Sequence, residues 1–145
     1  MARVSTYLNF TNQTEDAFNF YKSVFGTEFE GPINRFGDMP PQEGMPPIAD
    51  EIKHLVLHVT LPITGGHLLM GSDAPEQMGF KVNMGNNVYI NLEPDTRKET
   101  DRLFNALSEG GEVEMPMADM FWGAYFGSCK DKYGVKWMFN CQEKA

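Results

Sequence analysis

An α+β fold is predicted, built from two βαβββ modules. Three observations predict it. First, the sequence repeats. At an offset of 84, Phe20 falls on Phe104, Gly26 on Gly110, Glu28 on Glu112, Glu30 on Glu114 and Pro32 on Pro116. At an offset of 68, Gly66 falls on Gly134, Leu69 on Trp137 and Met70 on Met138. Second, each copy reads as one strand, one amphipathic helix and three more strands. Third, the last two strands of each copy are joined by short turns containing Gly, "PITGG" and "KDKYG", as hairpins are. The two offsets differ by 16 residues, which places an insertion in the first module, within Asn34 to Lys53. Residues 1–145 therefore read as a single domain of two tandem modules, about 1–80 and 85–145.

The elements follow in order. "STYLNF" alternates and reads as a strand, with Leu8 and Phe10 on its core side and Tyr7 and Asn9 on the other. "TEDAFNFYKSVFG" reads as a helix. Thr14 is its expected N-cap, and Glu15 and Asp16 suit the positive end of the helix dipole. Ala17, Phe20, Tyr21, Val24 and Phe25 fall at helical spacing, and Gly26 supplies a left-handed stop. "EFEGPINR", "KHLVLHVTL" and "GHLLMGS" are the next three strands. In the second module "NVYINL" is the strand, with Val88, Ile90 and Leu92 expected in the core and Tyr89 and Asn91 on the open side. Thr96 and Glu99 make a capping box. Thr100, Leu103, Phe104 and Leu107 form an apolar stripe that Gly110 ends. "EVEMPM", "WGAYFGSCK" and "GVKWMFNC" close the chain.

One helix covers one face of such a sheet. The other face must meet a second sheet, a ligand or a partner subunit. A four-residue turn over Asp131–Gly134 predicts that Lys130 lies opposite Val135. In that register Trp122, Ala124, Phe126 and Ser128 join Val135, Trp137, Phe139 and Cys141 on a packed face. Gly123, Tyr125, Gly127 and Cys129 join Lys136, Met138 and Asn140 on the open face, where two glycines leave room for a pocket wall. The candidate ligand-binding residues are thus Tyr7, Asn9, Tyr89, Asn91, Tyr125, Lys136, Met138 and Asn140.

Composition excludes several partners. Twelve basic against twenty acidic residues give a net charge of −8, which disfavours nucleic acid and anionic membrane surfaces. No apolar run approaches the about 18 residues of a membrane span. "MARVSTYLNF" lacks the apolar core of a signal peptide, so a cytoplasmic protein with reduced cysteines is expected. Ten methionines suit an adaptable pocket and equally a core filler.

The closing motif W-G-x-x-F-G-x-x-x-D-x-x-G-V-x-W, with "YLNFTNQTEDAFNFYKSVFG" and "LLMGSD", resembles the PhnB-like branch of the vicinal oxygen chelate superfamily. That superfamily holds the glyoxalase, bleomycin-resistance and extradiol dioxygenase proteins. The branch carries the label 3-demethylubiquinone-9 3-methyltransferase. The resemblance covers nearly the whole chain. It implies that the mixed sheet of each module is cupped, with a ligand site inside the cups, and a homodimer. It also implies where metal-using relatives draw ligands: Tyr7, Met70 or Ser72, Tyr89 or Asn91, and Met138 or Asn140. None of these suits a divalent ion, so no metal and no cofactor is expected.

Other chemistry rests on few residues. Alternation in "KHLVLHVTL" turns His58 away from the packed face, whereas its repeat partner Phe126 is assigned to that face. His58 is therefore either a satisfied structural histidine or a general base. Asp73 either caps a turn or orients a substrate. Cys129 is either inert or a nucleophile activated by Lys130, Lys132 and Lys136. "FGDMPPQEGMPPIAD" is too rich in Pro and Gly for helix or strand. It is a surface loop or a lid with Phe36, Met39 and Met45 as contacts. Three functions fit: a metal-independent small-molecule-binding protein, an enzyme acting on a small aromatic or quinone-like metabolite, and a partner-binding dimer.

Overall fold

The computed structural model covers residues 1–145. The chain divides into two compact units, Met1–Val82 and Asn83–Ala145. The first contains β1 (Thr6–Phe10), α1 (Thr14–Phe25), β2 (Asn34–Arg35), β3 (Val56–Pro62) and β4 (Leu68–Asp73). The second contains β5 (Ile90–Leu92), α2 (Arg97–Ser108), β6 (Glu112–Asp119), β7 (Tyr125–Lys130) and β8 (Lys136–Cys141). Each unit is a four-stranded mixed sheet with one helix. The strand orders are β1-β4-β3-β2 and β5-β8-β7-β6. In both, the first and last strands run parallel at one end, Tyr7 against Met70 and Asn91 against Met138. No helix is long and apolar enough to cross a membrane.

Helix α1 packs on β3 and β4 through Ala17, Phe18, Tyr21 and Val24. Phe18 belongs to this buried stripe, while Phe20 and Phe25 sit at its half-buried margin. The helix comes so close to the sheet that a Cβ on Gly71 would lie 2.5 Å from Phe18 Cε1. Thr14 is not the N-cap. It is the first helical residue, and its N–H and hydroxyl both donate to the buried carboxylate of Asp73, at 3.0 and 2.8 Å. Asp73 also accepts the N–H of Val56 at 2.8 Å, so it joins α1, β4 and β3 rather than merely capping a turn. Gly26 ends the helix at φ 67°.

In the second unit α2 packs on β7 and β8 through Thr100, Leu103, Phe104 and Leu107, all buried. Phe104 meets Phe139 edge-on at 5.3 Å between ring centres. Thr96 caps the helix by accepting the Glu99 N–H at 3.1 Å. The Glu99 side chain binds Arg102 instead.

Several predicted elements shrink. Only Asn34–Arg35 of "EFEGPINR" is strand. Gly31 sits at φ 77° and Pro32 has no N–H to give a ladder, so the sheet edge starts late. Val88 lies outside β5 and is exposed, not core.

The β7–β8 register is one residue away from the predicted one. Lys130 pairs with Lys136, Gly127 with Phe139 and Tyr125 with Cys141. The turn has five residues, Asp131–Val135, because Asp131 organises it. Its N–H donates to the Val135 carbonyl at 2.8 Å. Its carboxylate accepts the N–H groups of Tyr133 and Val135 and the Trp137 indole N–H. A slip of one residue reverses every β7 side chain. Tyr125, Gly127 and Cys129 therefore lie on the helix face with Trp137, Phe139 and Cys141. Phe126 and Ser128 lie on the open face with Met138 and Asn140. Trp122, expected in the core, precedes β7 and is 56% exposed beside Phe121 and Phe126.

Candidate functional site

The open face of the first sheet carries a connected polar group. Tyr7 and Asn9 project from β1, Ser72 and Met70 from β4, and His58 and Thr60 from β3. The Tyr7 hydroxyl meets His58 Nδ1 at 3.2 Å and is also hydrogen-bonded to Ser72 Oγ. Ser72 Oγ donates to the Leu57 carbonyl at 2.7 Å. His58 Nε2 meets Thr60 Oγ1 at 2.8 Å. The corrected β7 register removes the conflict over His58, since its repeat partner Phe126 also lies on the open face. Both His58 nitrogens have partners, yet Tyr7 stays 48% exposed. Thr60 is absent from the expected site, and Ser72, expected only as an implied metal-ligand position, enters it as a hydrogen-bond partner of Tyr7. The parallel pairing of β1 with β4 was the signal that brings Ser72 beside Tyr7.

On the second sheet the equivalent positions hold Asn91, Met138, Asn140, Phe126 and Ser128. Asn91 is exposed, and its amide reaches Glu93 at 3.4 Å. At the β6 edge Lys136 forms an ion pair with Glu114, and Tyr89 donates to the same carboxylate at 2.8 Å. The Lys136 hydrogen bond holds the Glu114 carboxyl below the usual glutamate range, with the Tyr89 bond adding to it against burial. Glu114 in turn pushes the Lys136 ammonium up. These two residues, with Glu112, Lys130, Met84, Gly85, Asn86 and Gly134, line an open cleft of about 730 Å³. Lys136 is thus not a free cation awaiting an anionic ligand. Glu114, absent from the expected set, already neutralises it.

Tyr125 is not a pocket residue. Its hydroxyl donates to Asp101 of α2 at 2.5 Å, which pushes its pKa up, and the Arg97 guanidinium lies 4.1 Å above its ring. Cys129 is buried on the helix face. Burial, then the charges of Asp131 and Glu114, push its thiol up to about 12, so the nearby lysines do not activate it. Cys141 shares that face, also buried and free, opposite Tyr125 at the other end of the hairpin.

Within the insertion, Phe36 is no lid contact. It is buried against Ile52 and Leu55, with Met39, Ile48 and Leu57 around it. Two short 3₁₀ turns, Phe36–Asp38 and Asp50–Ile52, build this stem. Arg35 clamps it to α1 by a two-pronged bond to Glu15, at 2.9 Å on each prong. That bond holds the Glu15 carboxyl below its ordinary range. Met45, at the tip, is 63% exposed. Beneath the tip, Met39, Met45, Ile48 and the prolines line a second cleft of about 510 Å³.

The residues at the implied metal positions do not make a divalent-cation site. Tyr7 and Ser72 bind each other, and Met70, Met138 and Asn140 are weak ligands for such ions. No group of three or more His, Cys, Asp or Glu side chains gathers anywhere in the chain.

Comparison with known proteins bears on the family and the fold. A family profile described as 3-demethylubiquinone-9 3-methyltransferase matches residues 2–139. Protein YjdN of Escherichia coli K12 is 29% identical over 142 residues, 94% of this chain and 93% of that protein. The crystal structure of protein PA1353 from Pseudomonas aeruginosa is 35% identical, covers 98% of each chain and superposes with a TM-score of 0.82. A PhnB protein from Bacillus cereus, described as a candidate 3-demethylubiquinone-9 3-methyltransferase, is 26% identical with a TM-score of 0.73 over 97% of this chain and 99% of that one. A glyoxalase/bleomycin resistance protein/dioxygenase family enzyme from Burkholderia phytofirmans shares the fold, with a TM-score of 0.61 at 17% identity over 95% of this chain and 98% of that one.

Proposed function

The chain belongs to the 3-demethylubiquinone-9 3-methyltransferase family, and from that premise we propose that it is a metal-independent small-molecule-binding protein. The ligand lies against the open sheet faces. The hydrogen-bonded group of Tyr7, His58 and Ser72 beside Met70 carries this reading, because it sets oriented polar atoms on a half-exposed, adaptable surface. Asn9 extends the polar set in the first unit. Asn91, Met138 and Asn140 form its counterpart in the second, with Tyr89 and Lys136 at the cleft edge. Met39 and Met45 remain the candidate lid contacts.

The proposal includes a homodimer, supported by exposed Val113, Met115, Phe121 and Trp122, and a cytoplasmic location, supported by two free buried thiols. The test is native mass spectrometry of gently purified protein with elemental analysis of the same sample. A co-purifying organic mass without stoichiometric metal is expected. About one bound Zn, Ni, Mn or Fe per chain would sink the metal-independent reading.

The family's description favours a second reading, an enzyme acting on a small quinone-like metabolite. S-adenosylmethionine is the methyl donor to try. At about 100 times its dissociation constant a specific ligand stabilises its protein by about 2.7 kcal/mol. No thermal shift is expected, because "GTEFEG" follows a helix instead of opening one as a nucleotide-type glycine turn does.

A further inference from the structure

The hydrogen-bond chain on the first open face has a direction, and the direction follows from counting protons. Ser72 has one hydroxyl proton, given to the Leu57 carbonyl. The bond between Tyr7 and Ser72 must then use the Tyr7 proton. With that proton spent, Tyr7 can only accept from His58, so His58 Nδ1 carries hydrogen. In the neutral ring Nε2 is then bare, and it accepts the Thr60 hydroxyl proton at 2.8 Å. The order is Thr60 to His58 to Tyr7 to Ser72 to the Leu57 carbonyl, with every donor pointing the same way.

Two consequences follow. His58 cannot take a proton through Tyr7, because Nδ1 is already protonated and Nε2 is covered by Thr60. The base-catalyst role for His58 has its relay running backwards. Tyr7, 48% exposed, keeps one lone pair that no protein group claims. That lone pair accepts and does not donate.

We propose that the oxygen of the half-exposed Tyr7 side chain is a fixed acceptor that selects ligands presenting a hydrogen-bond donor, such as a phenol or alcohol O–H or an amide N–H, and disfavours carboxylates. The site recognises a donor; it does not deprotonate it. This rests on the binding reading above and narrows the ligand class.

The experiment has two arms. Long-range proton–nitrogen NMR of the neutral His58 ring is expected to show hydrogen on Nδ1 and none on Nε2. In Ser72→Ala the Tyr7 proton loses its acceptor, and the Nε2–H form is expected to appear. An Nε2–H form in the unaltered protein overturns the proposal. In the second arm, phenol, anisole and benzoate are titrated while the signals of Tyr7, His58 and Ser72 are followed. Phenol is expected to bind at least about tenfold more tightly than anisole or benzoate, one good hydrogen bond's worth. Tyr7→Phe is expected to bring the phenol-to-anisole ratio to about one by removing the acceptor. Equal binding of all three probes to the unaltered protein overturns donor selection but leaves the binding reading intact. No response at the open face to any probe overturns both.

Discussion

Asp73 caps helix α1 through Thr14, although 59 positions separate them: one carboxylate oxygen takes both the N–H and the hydroxyl of Thr14. The other oxygen takes the Val56 N–H. Asp73→Ala would strand these donors in a buried place. Each buried donor left without a partner costs about 1–3 kcal/mol, so a loss of about 3 kcal/mol or more is expected in urea unfolding. Thr14→Ser keeps both bonds and should stay within about 1 kcal/mol of the parent. A mild Asp73→Ala effect would show that the joint contributes little.

Gly71 is constrained by the helix above it. The methyl of Gly71→Ala meets the Phe18 ring. Overpacking of this kind costs about 1–3 kcal/mol. Thermal unfolding of Gly71→Ala should show that loss, and Gly71→Ala/Phe18→Leu should recover part of it. No recovery would place the strain elsewhere.

The Cys129 thiol, pushed up to about 12, is protonated throughout the neutral range. Iodoacetamide at pH 8 should label it in urea-unfolded protein and leave it untouched in the native state, as peptide mapping would show. Its linkage sign is also fixed. A thiol raised in the fold keeps its full contribution below the unfolded value of about 8.5 and loses it as pH rises from there towards about 12. The urea midpoint should therefore fall from pH 8 to pH 10, and it should fall less in Cys129→Ala. Equal falls would remove this thiol from the account.

Glu114 is lowered by its partner Lys136, so the pair supports the fold above the unfolded glutamate value of about 4.3 and loses that support as pH drops through the lower, folded value. In Lys136→Met the Glu114 carboxyl should titrate at higher pH than in the parent, read by carboxyl carbon NMR. An unchanged midpoint would mean that Tyr89 and the charge of Lys130 hold it down without Lys136.

Most of the fold was legible because the repeat and the helical stripes are local patterns. Ala17, Tyr21 and Val24 announced α1, and Thr100, Leu103, Phe104 and Leu107 announced α2. The β7 faces were not legible. They depend on one residue in a turn, and what lengthens that turn is the side chain of Asp131 reaching Trp137. Tyr125 and Cys129 changed sides with it. Thr14 was misread as a cap because the true acceptor, Asp73, sits at the end of another strand. The Lys136–Glu114 pair was hidden for a related reason: β6 breaks its ladder register near Met115, so alternation does not say where Glu114 points.

The stem of the Asn34–Lys53 insertion is closed by backbone bonds from Phe36 to Leu55 and from Gly37 to Lys53, at 3.0 and 2.9 Å. Beyond that clasp, Pro40 to Pro47 are exposed. Doubling the length of such a loop adds only about 0.6 kcal/mol of closure entropy. The clasp therefore uncouples tip length from the sheet. The tip is a natural docking port for engineered sequence: epitopes, tags or randomised peptides spliced between Pro41 and Pro46 would be displayed from a fixed base, with the sheet left unaltered.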